Sequence, residues 1–329
     1  MRIAGRLAVC AATAGIAAAG MTTAAAPAAQ AAVSSAPAVS VTAGAAAGPA
    51  RLVSAVRAAP SAASAAAASA PVGVRSRLAE LAVAATGADL WSRSSVDKRP
   101  IGSIAKVMTA YVVLTTPGLN LNRVITVPEG ITGYDDAYDA STAGLSPGER
   151  LTTLQLLYAM LLPSGCDAAY TLADAYGPGL TGFIAKMNAT ARKLGLTKTH
   201  FSDFSGLPDP TEYSTYSTAH DLVNLGRAAM RLKTFATVVG TREYAIGATS
   251  GHYAHTWRNL NPLLGTYPGA LGIKTGYTGT AGQCLLFEAR RGRTVLIGVV
   301  LDSSPVDSVT LAAAGADARA MLNWGFSRG

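Results

Sequence analysis

The sequence lacks a hydrophobic run long enough for a membrane-spanning helix, which needs about 20 predominantly apolar residues. The apolar stretch nearest the N-terminus, residues 7–21, is shorter than this and follows Arg2 and Arg6. An Ala-Gln-Ala site at residues 29–31 completes the pattern of a secretory signal peptide. We therefore predict that residues 1–31 are a signal peptide and that the protein is exported from the cytoplasm and secreted, with no firm membrane anchor.

Acidic residues are absent from the first 75 positions, which hold five of the 27 basic residues. The remaining chain has 22 basic residues against 19 acidic ones, so much of the net charge of +8 belongs to the leader. A nucleic-acid-binding protein would need a basic stripe on its folded part. The nearest candidate, Arg290-Arg291-Gly292-Arg293, is better interpreted as a polar hairpin turn, and we predict no nucleic-acid partner.

Cysteine is scarce, with three residues in 329 positions. Cys10 lies within the predicted signal peptide, which leaves Cys166 and Cys284. An exported protein is able to pair two such cysteines, but two residues are too few to decide whether they do. No cofactor and no metal site are predicted.

The pattern of elements places strands at both ends of the folded part and helices between them. Residues 32–75 are rich in alanine and are interpreted as a low-complexity linker, followed by a catalytic domain at 76–329. Strands are predicted at 81–85, 89–93, 270–275, 283–289 and 294–301. Helices are predicted at 104–114, 151–163, 167–176, 183–194, from a Thr218 cap to about 231, and at 312–324. This order predicts an α/β (α+β) fold with one sheet built from both chain ends and an inserted helical lobe.

Two Ser-x-x-Lys pairs are candidates for nucleophilic catalysis. Ser103 and Lys106 begin a nearly all-apolar stretch, typical of a buried helix, and their spacing places both side chains on one helix face. A serine hydroxyl needs a base to take its proton, and burial would favour the neutral, basic form of a lysine. Ser95 and Lys98 match the same pattern in a polar loop, and we interpret that match as accidental.

Two further motifs are candidates for chemistry. Ser164 and Cys166 lie in a turn between two predicted helices, where a serine is also a common helix cap. Lys274-Thr275-Gly276 ends a predicted strand, where a cation, a hydroxyl donor and an open backbone suit a substrate carboxylate. Taken alone, each motif has a purely structural alternative.

In this order, the three motifs resemble the low-molecular-mass penicillin-binding proteins, the D-Ala-D-Ala carboxypeptidase/DD-transpeptidase family (peptidase S11). The likeness extends to a streptomycete DD-transpeptidase branch with an S-G-C motif. It implies a serine β-lactamase/DD-peptidase-like fold, in which an antiparallel sheet carries an inserted all-helical lobe. The matching stretches are GSIAKVMTA at 102–110, LLYAMLLPSGCDAAYTLAD at 156–174 and GIKTGYT at 272–278, with weaker support at 199–207 and 322–326.

The resemblance implies a role for each motif. Ser103 would attack a peptidoglycan stem peptide that ends in D-Ala-D-Ala, with Lys106 as base and Ser164 relaying a proton to the leaving D-Ala. The product would be an acyl-enzyme that water or an amine resolves. The likeness further implies inhibition by β-lactam antibiotics and a role in peptidoglycan biosynthesis and cell shape, and we expect a monomer in the cell-wall space. The implied substrate-binding residues are Cys166, Lys274, Thr275, Gly276 and Tyr277.

Two features depart from the family pattern. The second motif ends in Cys166 where asparagine is usual, and a thiol donates and accepts hydrogen bonds poorly. This leaves open the turnover rate and the choice between water and an amine. In addition, residues 302–317 contain no lysine or arginine, whereas many relatives carry an arginine there that helps to bind the substrate carboxylate.

Three other functions fit parts of the pattern. A class A β-lactamase would need a carboxylate to activate water, and sequence context does not assign Glu129, Glu149 or Glu212 to that role. A non-catalytic cell-wall module would retain the pocket and bind penicillin without an adduct on Ser103. A thiol hydrolase would use Cys166 as its nucleophile.

Overall fold

Five antiparallel strands from both ends of the chain form the main sheet. The computed structural model describes residues 70–304 and 311–328. The strands of this sheet are β1 at Leu78–Val83, β2 at Asp89–Arg93, β9 at Ala270–Gly276, β10 at Cys284–Arg291 and β11 at Thr294–Leu301. They are arranged in the order β2-β1-β11-β10-β9, so the N-terminal hairpin is joined edge to edge with the C-terminal strands.

The register of the sheet explains why two of its strands are almost continuously apolar. Leu78 on β1 lies opposite Leu301 on β11, and Val83 lies opposite Leu296. Residues on one face of the sheet belong to the main hydrophobic core, while residues on the other face, including Leu296, belong to a second core. Strands that are buried on both faces need apolar residues at successive positions instead of the alternating pattern of a half-exposed strand.

Seven α-helices lie between β2 and β9, and an eighth follows β11 in the described residues. A 3₁₀ turn at Gly102–Ala105 leads directly into the first helix. The helices are α1 at Lys106–Leu114, α2 at Gly130–Tyr138, α3 at Thr153–Leu161, α4 at Cys166–Tyr176, α5 at Gly179–Lys193, α6 at Ala219–Met230, α7 at Lys233–Gly240 and α8 at Ala312–Phe326.

Local sequence signals account for several of these boundaries. The Thr152 side chain accepts a hydrogen bond from the backbone of Gln155, whose side chain bonds back to Thr152, so a capping box starts α3. Thr218 caps α6 by accepting from the N–H of Asp221, as the sequence predicts. Helix α1 carries no charged face because seven of its nine residues are buried, and it forms the centre of the inserted segment.

The predicted fold class is confirmed, with corrections in the inserted segment. That segment also contains three two-stranded ladders, so it is not wholly helical. Helices α2 and α7 were not predicted. The ladders pair β3 Arg99–Pro100 with β6 Tyr216–Ser217, β4 Val124–Thr126 with β5 Arg150–Thr152, and β7 Glu243–Ile246 with β8 His255–Arg258.

The predicted signal peptide at 1–31 and nearly all of the linker at 32–75 lie outside the described residues, and both stay predictions. At the start of the described chain, the N–H groups of Arg75 and Ser76 donate to the buried carboxylate of Asp317 on α8. Within residues 70–304 and 311–328, no helix combines the length and apolarity required to cross a membrane.

Candidate active site

Ser103 and Lys106 form the centre of the site. Ser103 lies within the 3₁₀ turn and Lys106 is the first residue of α1, so the pair is not on one regular α-helix as predicted. Because a 3₁₀ helix has three residues per turn, residues three apart still share a side, and Lys106 Nζ lies 2.9 Å from Ser103 Oγ. The lysine side chain is fully buried.

Lys106 Nζ also contacts three groups from distant parts of the chain. Ser164 Oγ lies 3.5 Å away, Cys166 Sγ 3.3 Å away and the backbone carbonyl of Ser205 3.3 Å away. Lys106 Nζ is therefore within hydrogen-bond distance of the hydroxyls of both Ser103 and Ser164, and a group that is to take a proton from Ser103 Oγ has to lie within this distance. The structure thus brings the first two motifs together and adds Ser205, which was not predicted.

The Ser-Gly-Cys turn connects α3 to α4 in a tight conformation. Ser164 has a φ angle of 69°, in the left-handed region that non-glycine residues seldom occupy. The N–H of Gly165 donates to the carbonyl of Ala159 at 3.2 Å, and the N–H of Cys166 donates to the carbonyl of Ser141 at 2.8 Å. The turn is therefore fixed by α3 on one side and by the segment after α2 on the other.

Asp167, in the first turn of α4, anchors that segment. Its carboxylate accepts the N–H groups of Ala143 and Leu145 at 2.9–3.0 Å and that of Ala168 at 2.8 Å. Burial raises the pKa of Asp167, while these N–H donors oppose the rise. An acidic residue in the first turn of a helix interacts favourably with the helix dipole. The Asp167 carboxylate also holds the segment after α2, which forms one wall of the site.

A second buried acid, Asp203, shapes the loop that supplies the Ser205 carbonyl. One oxygen of Asp203 accepts the N–H groups of Ser205, Gly206 and Leu207 at 2.7, 2.6 and 3.0 Å. The other accepts the hydroxyl of Tyr134 on α2 at 2.6 Å. Burial raises the pKa of Asp203, and its hydrogen bonds to Tyr134 and the backbone oppose that rise. Asp203 thereby holds this loop, and with it the Ser205 carbonyl, next to Lys106.

This loop packs directly on the 3₁₀ turn at Gly102–Ala105 that carries Ser103. Gly206 has a φ angle of 86°, and a Cβ on it would lie 2.0 Å from the carbonyl oxygen of Gly102. The Thr109 hydroxyl, on α1, donates to the carbonyl of Phe204 at 2.6 Å. No larger residue fits at position 206 unless the backbone next to Ser103 moves.

The third motif ends strand β9 beside the first. Thr275 is buried but lines the cavity with Ser103, whereas Lys274 is 1% exposed and is not among the lining residues. Lys274 Nζ donates to the hydroxyl oxygen of Thr275 at 3.2 Å and to its carbonyl at 3.1 Å. Burial lowers the pKa of Lys274 well below its usual value, and the nearby charge of Lys106 lowers it further. A Cβ on Gly276 would lie 2.4 Å from the carbonyl oxygen of Ile101, so this glycine lets β9 approach the 3₁₀ turn that carries Ser103.

These elements surround a cavity of about 600 Å³, a size typical of small-molecule sites. Four segments form its walls: the end of α2, the Ser-Gly-Cys turn, the loop after Asp203 and the end of β9. Its lining includes Ser103, Tyr138, Ser141, Ser164, Leu207, Glu212, Thr275, Gly276, Tyr277 and Leu311.

The competing candidates lie elsewhere or have other partners. Lys98 Nζ is placed 4.7 Å from the centroid of the Tyr216 ring, and the Ser95 carbonyl accepts the N–H of His220, so this pair does not form a similar site. Cys166 and Cys284 are both buried and free, which answers the pairing question left open by the sequence. Burial raises the pKa of the Cys284 thiol to about 12.

Of the three glutamates considered for activating water, Glu129 is exposed at the start of α2, Glu149 is held by hydrogen bonds and Glu212 borders the cavity. Glu149 accepts N–H groups from Ser146 and Tyr253 and bonds to His255. Burial opposes its ionisation, but these partners hold the pKa of Glu149 below its usual value. Glu212 is exposed and lines the cavity.

Comparison with known proteins agrees with this geometry. Residues 64–305 match the family model described as D-alanyl-D-alanine carboxypeptidase, peptidase S11. The chain belongs to the peptidase S11 family. It is 40% identical over 252 residues to the D-alanyl-D-alanine carboxypeptidase of Streptomyces sp. (strain K15), covering 74% of this chain and 84% of that relative. It is 36% identical over 247 residues to the Mycobacterium tuberculosis D-alanyl-D-alanine carboxypeptidase DacB2, covering 74% and 79%.

A solved structure of an S11 relative shares the fold. The crystal structure of the Streptomyces K15 DD-transpeptidase matches with a TM-score of 0.73 at 39% identity, covering 79% of this chain and all of that one. The predicted DD-peptidase-like fold is thereby confirmed. Sequence reasoning identified the three motifs and the supporting stretch at 199–207, but it assigned no role to Ser141, Asp203 or the Ser205 carbonyl, because none of these belongs to a motif whose chemistry is visible from spacing alone.

Proposed function

We propose that this protein is a serine-type D-Ala-D-Ala carboxypeptidase or DD-transpeptidase that forms an acyl-enzyme on Ser103. The observation that carries the proposal is the 2.9 Å contact between Ser103 Oγ, on the wall of the cavity, and the fully buried Lys106 Nζ. A nucleophile within hydrogen-bond reach of a buried base is the arrangement that activates a serine hydroxyl.

The first half of the reaction uses all three motifs. Ser103 Oγ attacks the carbonyl of the penultimate D-Ala of a stem peptide, and Lys106 Nζ takes the hydroxyl proton. As the C–N bond breaks, Ser164 passes a proton to the leaving D-Ala nitrogen. The backbone N–H groups of Ser103 and Tyr277 would stabilise the oxyanion, and losing one such donor typically costs about 2.7–4 kcal/mol of barrier.

The terminal carboxylate of the substrate would bind at the end of β9. Thr275 lines the cavity and Lys274 does not, so we assign the direct contact to the threonine hydroxyl. Lys274 donates to the Thr275 oxygen, which leaves the hydroxyl proton of Thr275 free to point at the carboxylate. In the second half, water or an amine attacks the acyl-enzyme, which gives hydrolysis or a cross-link. Cys166, which accepts from Lys106, takes the place of the usual asparagine beside this intermediate.

The setting of the enzyme follows from the same proposal. A stem-peptide substrate lies outside the cytoplasmic membrane, which agrees with the predicted signal peptide at 1–31. We propose a secreted, monomeric enzyme of the cell-wall space that contributes to peptidoglycan biosynthesis and cell shape and that β-lactam antibiotics acylate at Ser103.

The decisive test is the intact mass of the protein after incubation with benzylpenicillin. The parent is expected to gain one penicilloyl group, and Ser103→Ala none. Ser95→Ala removes the serine of the other Ser-x-x-Lys pair and should label like the parent. An adduct that persists in Ser103→Ala would overturn the assignment, and labelling of Cys166 instead would indicate a thiol hydrolase.

Two further outcomes separate the remaining alternatives. Rapid loss of the adduct with release of hydrolysed penicillin would indicate a β-lactamase. In that case Glu212, which lines the cavity, would be the candidate carboxylate for activating water. Binding of penicillin without any adduct would indicate a non-catalytic module. Release of D-Ala from a peptide ending in D-Ala-D-Ala, with and without an added amine, would distinguish hydrolysis from transpeptidation.

A further inference from the structure

Ser141 contacts the Ser-Gly-Cys turn at three points, although it belongs to none of the three motifs: two are short hydrogen bonds, and the third is a longer contact of 3.8 Å between its hydroxyl and Cys166 Sγ. It follows α2 in the chain and lines the cavity. Its hydroxyl donates to the carbonyl of Ser164 at 2.8 Å. Its own carbonyl accepts the N–H of Cys166 at 2.8 Å. The two short bonds go to Ser164 and Cys166, the residues before and after Gly165. Ser141 therefore holds the turn on both sides of this glycine.

The backbone conformation of Ser164 is unfavourable unless neighbouring groups hold it in place. Its φ angle of 69° places the Cβ of an L-residue close to its own backbone carbonyl, a conformation that persists only where the surroundings impose it. The direction of the Ser164 carbonyl is set by the backbone rotation next to the Cα that carries its hydroxyl. A hydrogen bond to that carbonyl therefore also fixes where Ser164 Oγ points.

Ser164 Oγ is able to move only a little before it loses its hydrogen bond with Lys106. It lies 3.5 Å from Lys106 Nζ, at the outer limit of a hydrogen bond. A small rotation of the turn away from α1 would end the contact between the base and the residue that relays its proton. Ser103 does not depend on the turn in this way, because its 2.9 Å contact with Lys106 is made within three residues of chain.

Ser141 is itself held in place by buried groups. Two residues later, the N–H of Ala143 donates to Asp167, and the carbonyl of Ala143 accepts Trp257 Nε1–H at 2.8 Å. The Ser141 backbone is thus anchored independently of its hydroxyl. Removing the hydroxyl should leave the segment in place and take away the short bond to the Ser164 carbonyl together with the longer contact to Cys166 Sγ, so that the carbonyl keeps only the 3.9 Å contact from Cys166 Sγ.

We propose that Ser141 is a positioning residue for Ser164 in acyl transfer. This inference rests on the proposed function. The Ser103 hydroxyl proton moves to Lys106 Nζ as the new C–O bond forms, and it reaches the leaving nitrogen through Ser164 Oγ as the C–N bond breaks. Ser141 touches none of these atoms. It acts by holding the left-handed Ser164 backbone, so that the relay hydroxyl faces both Lys106 and the leaving group.

A double-mutant cycle on the full-length protein tests this role, with the acylation rate constant for a fluorescent penicillin as readout. Ser141→Ala is expected to acylate about three- to tenfold more slowly, the rate equivalent of one net hydrogen bond. Ser141→Thr keeps the hydroxyl and should stay near the parent rate. Thr142→Ala, at the exposed neighbouring position, is the matched control and should be unchanged. In a Ser164→Ala background, Ser141→Ala should have no further effect, because the group it positions is gone.

Steady-state kinetics on a peptide ending in D-Ala-D-Ala give the second readout, with a lower kcat and an unchanged KM expected for Ser141→Ala. Parent-like acylation by Ser141→Ala, an equal loss with and without Ser164, or a change in KM alone would each overturn the inference. If the alanine variant does not fold, Ser141→Cys keeps the size of the side chain with a weak donor and should also lose at least threefold. Failure of the proposed function would look different, because the parent itself would carry no adduct on Ser103.

Discussion

Replacing Asp203 by alanine tests whether one buried carboxylate holds the loop beside the catalytic base. Asp203 is 1% exposed and accepts four hydrogen bonds, from the N–H groups of Ser205, Gly206 and Leu207 and from the Tyr134 hydroxyl. Each buried donor left without a partner costs about 1–3 kcal/mol. Because the loop relaxes and admits water, we expect a smaller total than four full penalties, about 3–5 kcal/mol of the free energy of unfolding.

Asp203→Asn is the matched control for this prediction. Its amide oxygen still accepts the three backbone N–H groups, and its NH₂ group is able to donate to the Tyr134 oxygen. We expect a loss of about 1–2 kcal/mol, since only the charge assistance of these bonds is removed. Urea denaturation of the full-length protein, followed by circular dichroism and tryptophan fluorescence, measures both values. A loss below about 1 kcal/mol for Asp203→Ala, or equal losses for the two variants, would refute the reasoning.

The remaining predictions concern a buried acid and a close backbone contact. Burial raises the pKa of Glu288 from 4.5 to about 7, so the folded protein holds this proton longer than the unfolded chain and loses stability as the pH rises through that window. Glu288→Gln should therefore be about 2–3 kcal/mol more stable than the parent at pH 8 and close to it at pH 4, in denaturation measured at both pH values; equal pH dependence would contradict this. Gly206→Ala should cost more than about 3 kcal/mol and slow acylation, because its Cβ would meet the Gly102 carbonyl. Gly118→Ala, also at positive φ but in open space, should cost only about 1–2 kcal/mol, and similar losses at both glycines would show that the contact does not matter.

The sequence predicted the part of the site that depends on short spacing. Ser103 and Lys106 are three residues apart, and they meet whether the turn between them is α or 3₁₀. The Thr218 cap and the apolar strands were predictable for the same reason, because hydrogen bonding and burial on this scale repeat along a few neighbouring residues. The sheet built from both chain ends followed from the order of the elements.

What the sequence did not predict depends on contacts between distant segments. Helix α2 buries only Ile131, so it shows no apolar periodicity, and hydrogen bonds to Asp203 and Asp167 hold α2 and the segment at 139–146 in place. Lys274 is predicted to attract a carboxylate, and this stays a prediction; its burial and its hydrogen bond to the Thr275 hydroxyl oxygen are visible only in the folded structure. No spacing rule reveals that the Ser205 carbonyl meets Lys106, since these groups approach only when the loop folds over α1.

The pairing of Leu78 with Leu301 has a consequence for the order in which the enzyme becomes active during synthesis. Ser103 and Lys106 are made early, but their partner Thr275 belongs to a strand made near the end of the chain. Pairing across so long a stretch of chain costs loop-closure entropy and slows folding. A nascent chain therefore carries its nucleophile for most of its synthesis without the wall that would hold a substrate against it. On the proposed function, Ser103 becomes able to act on a substrate only when the sheet is complete.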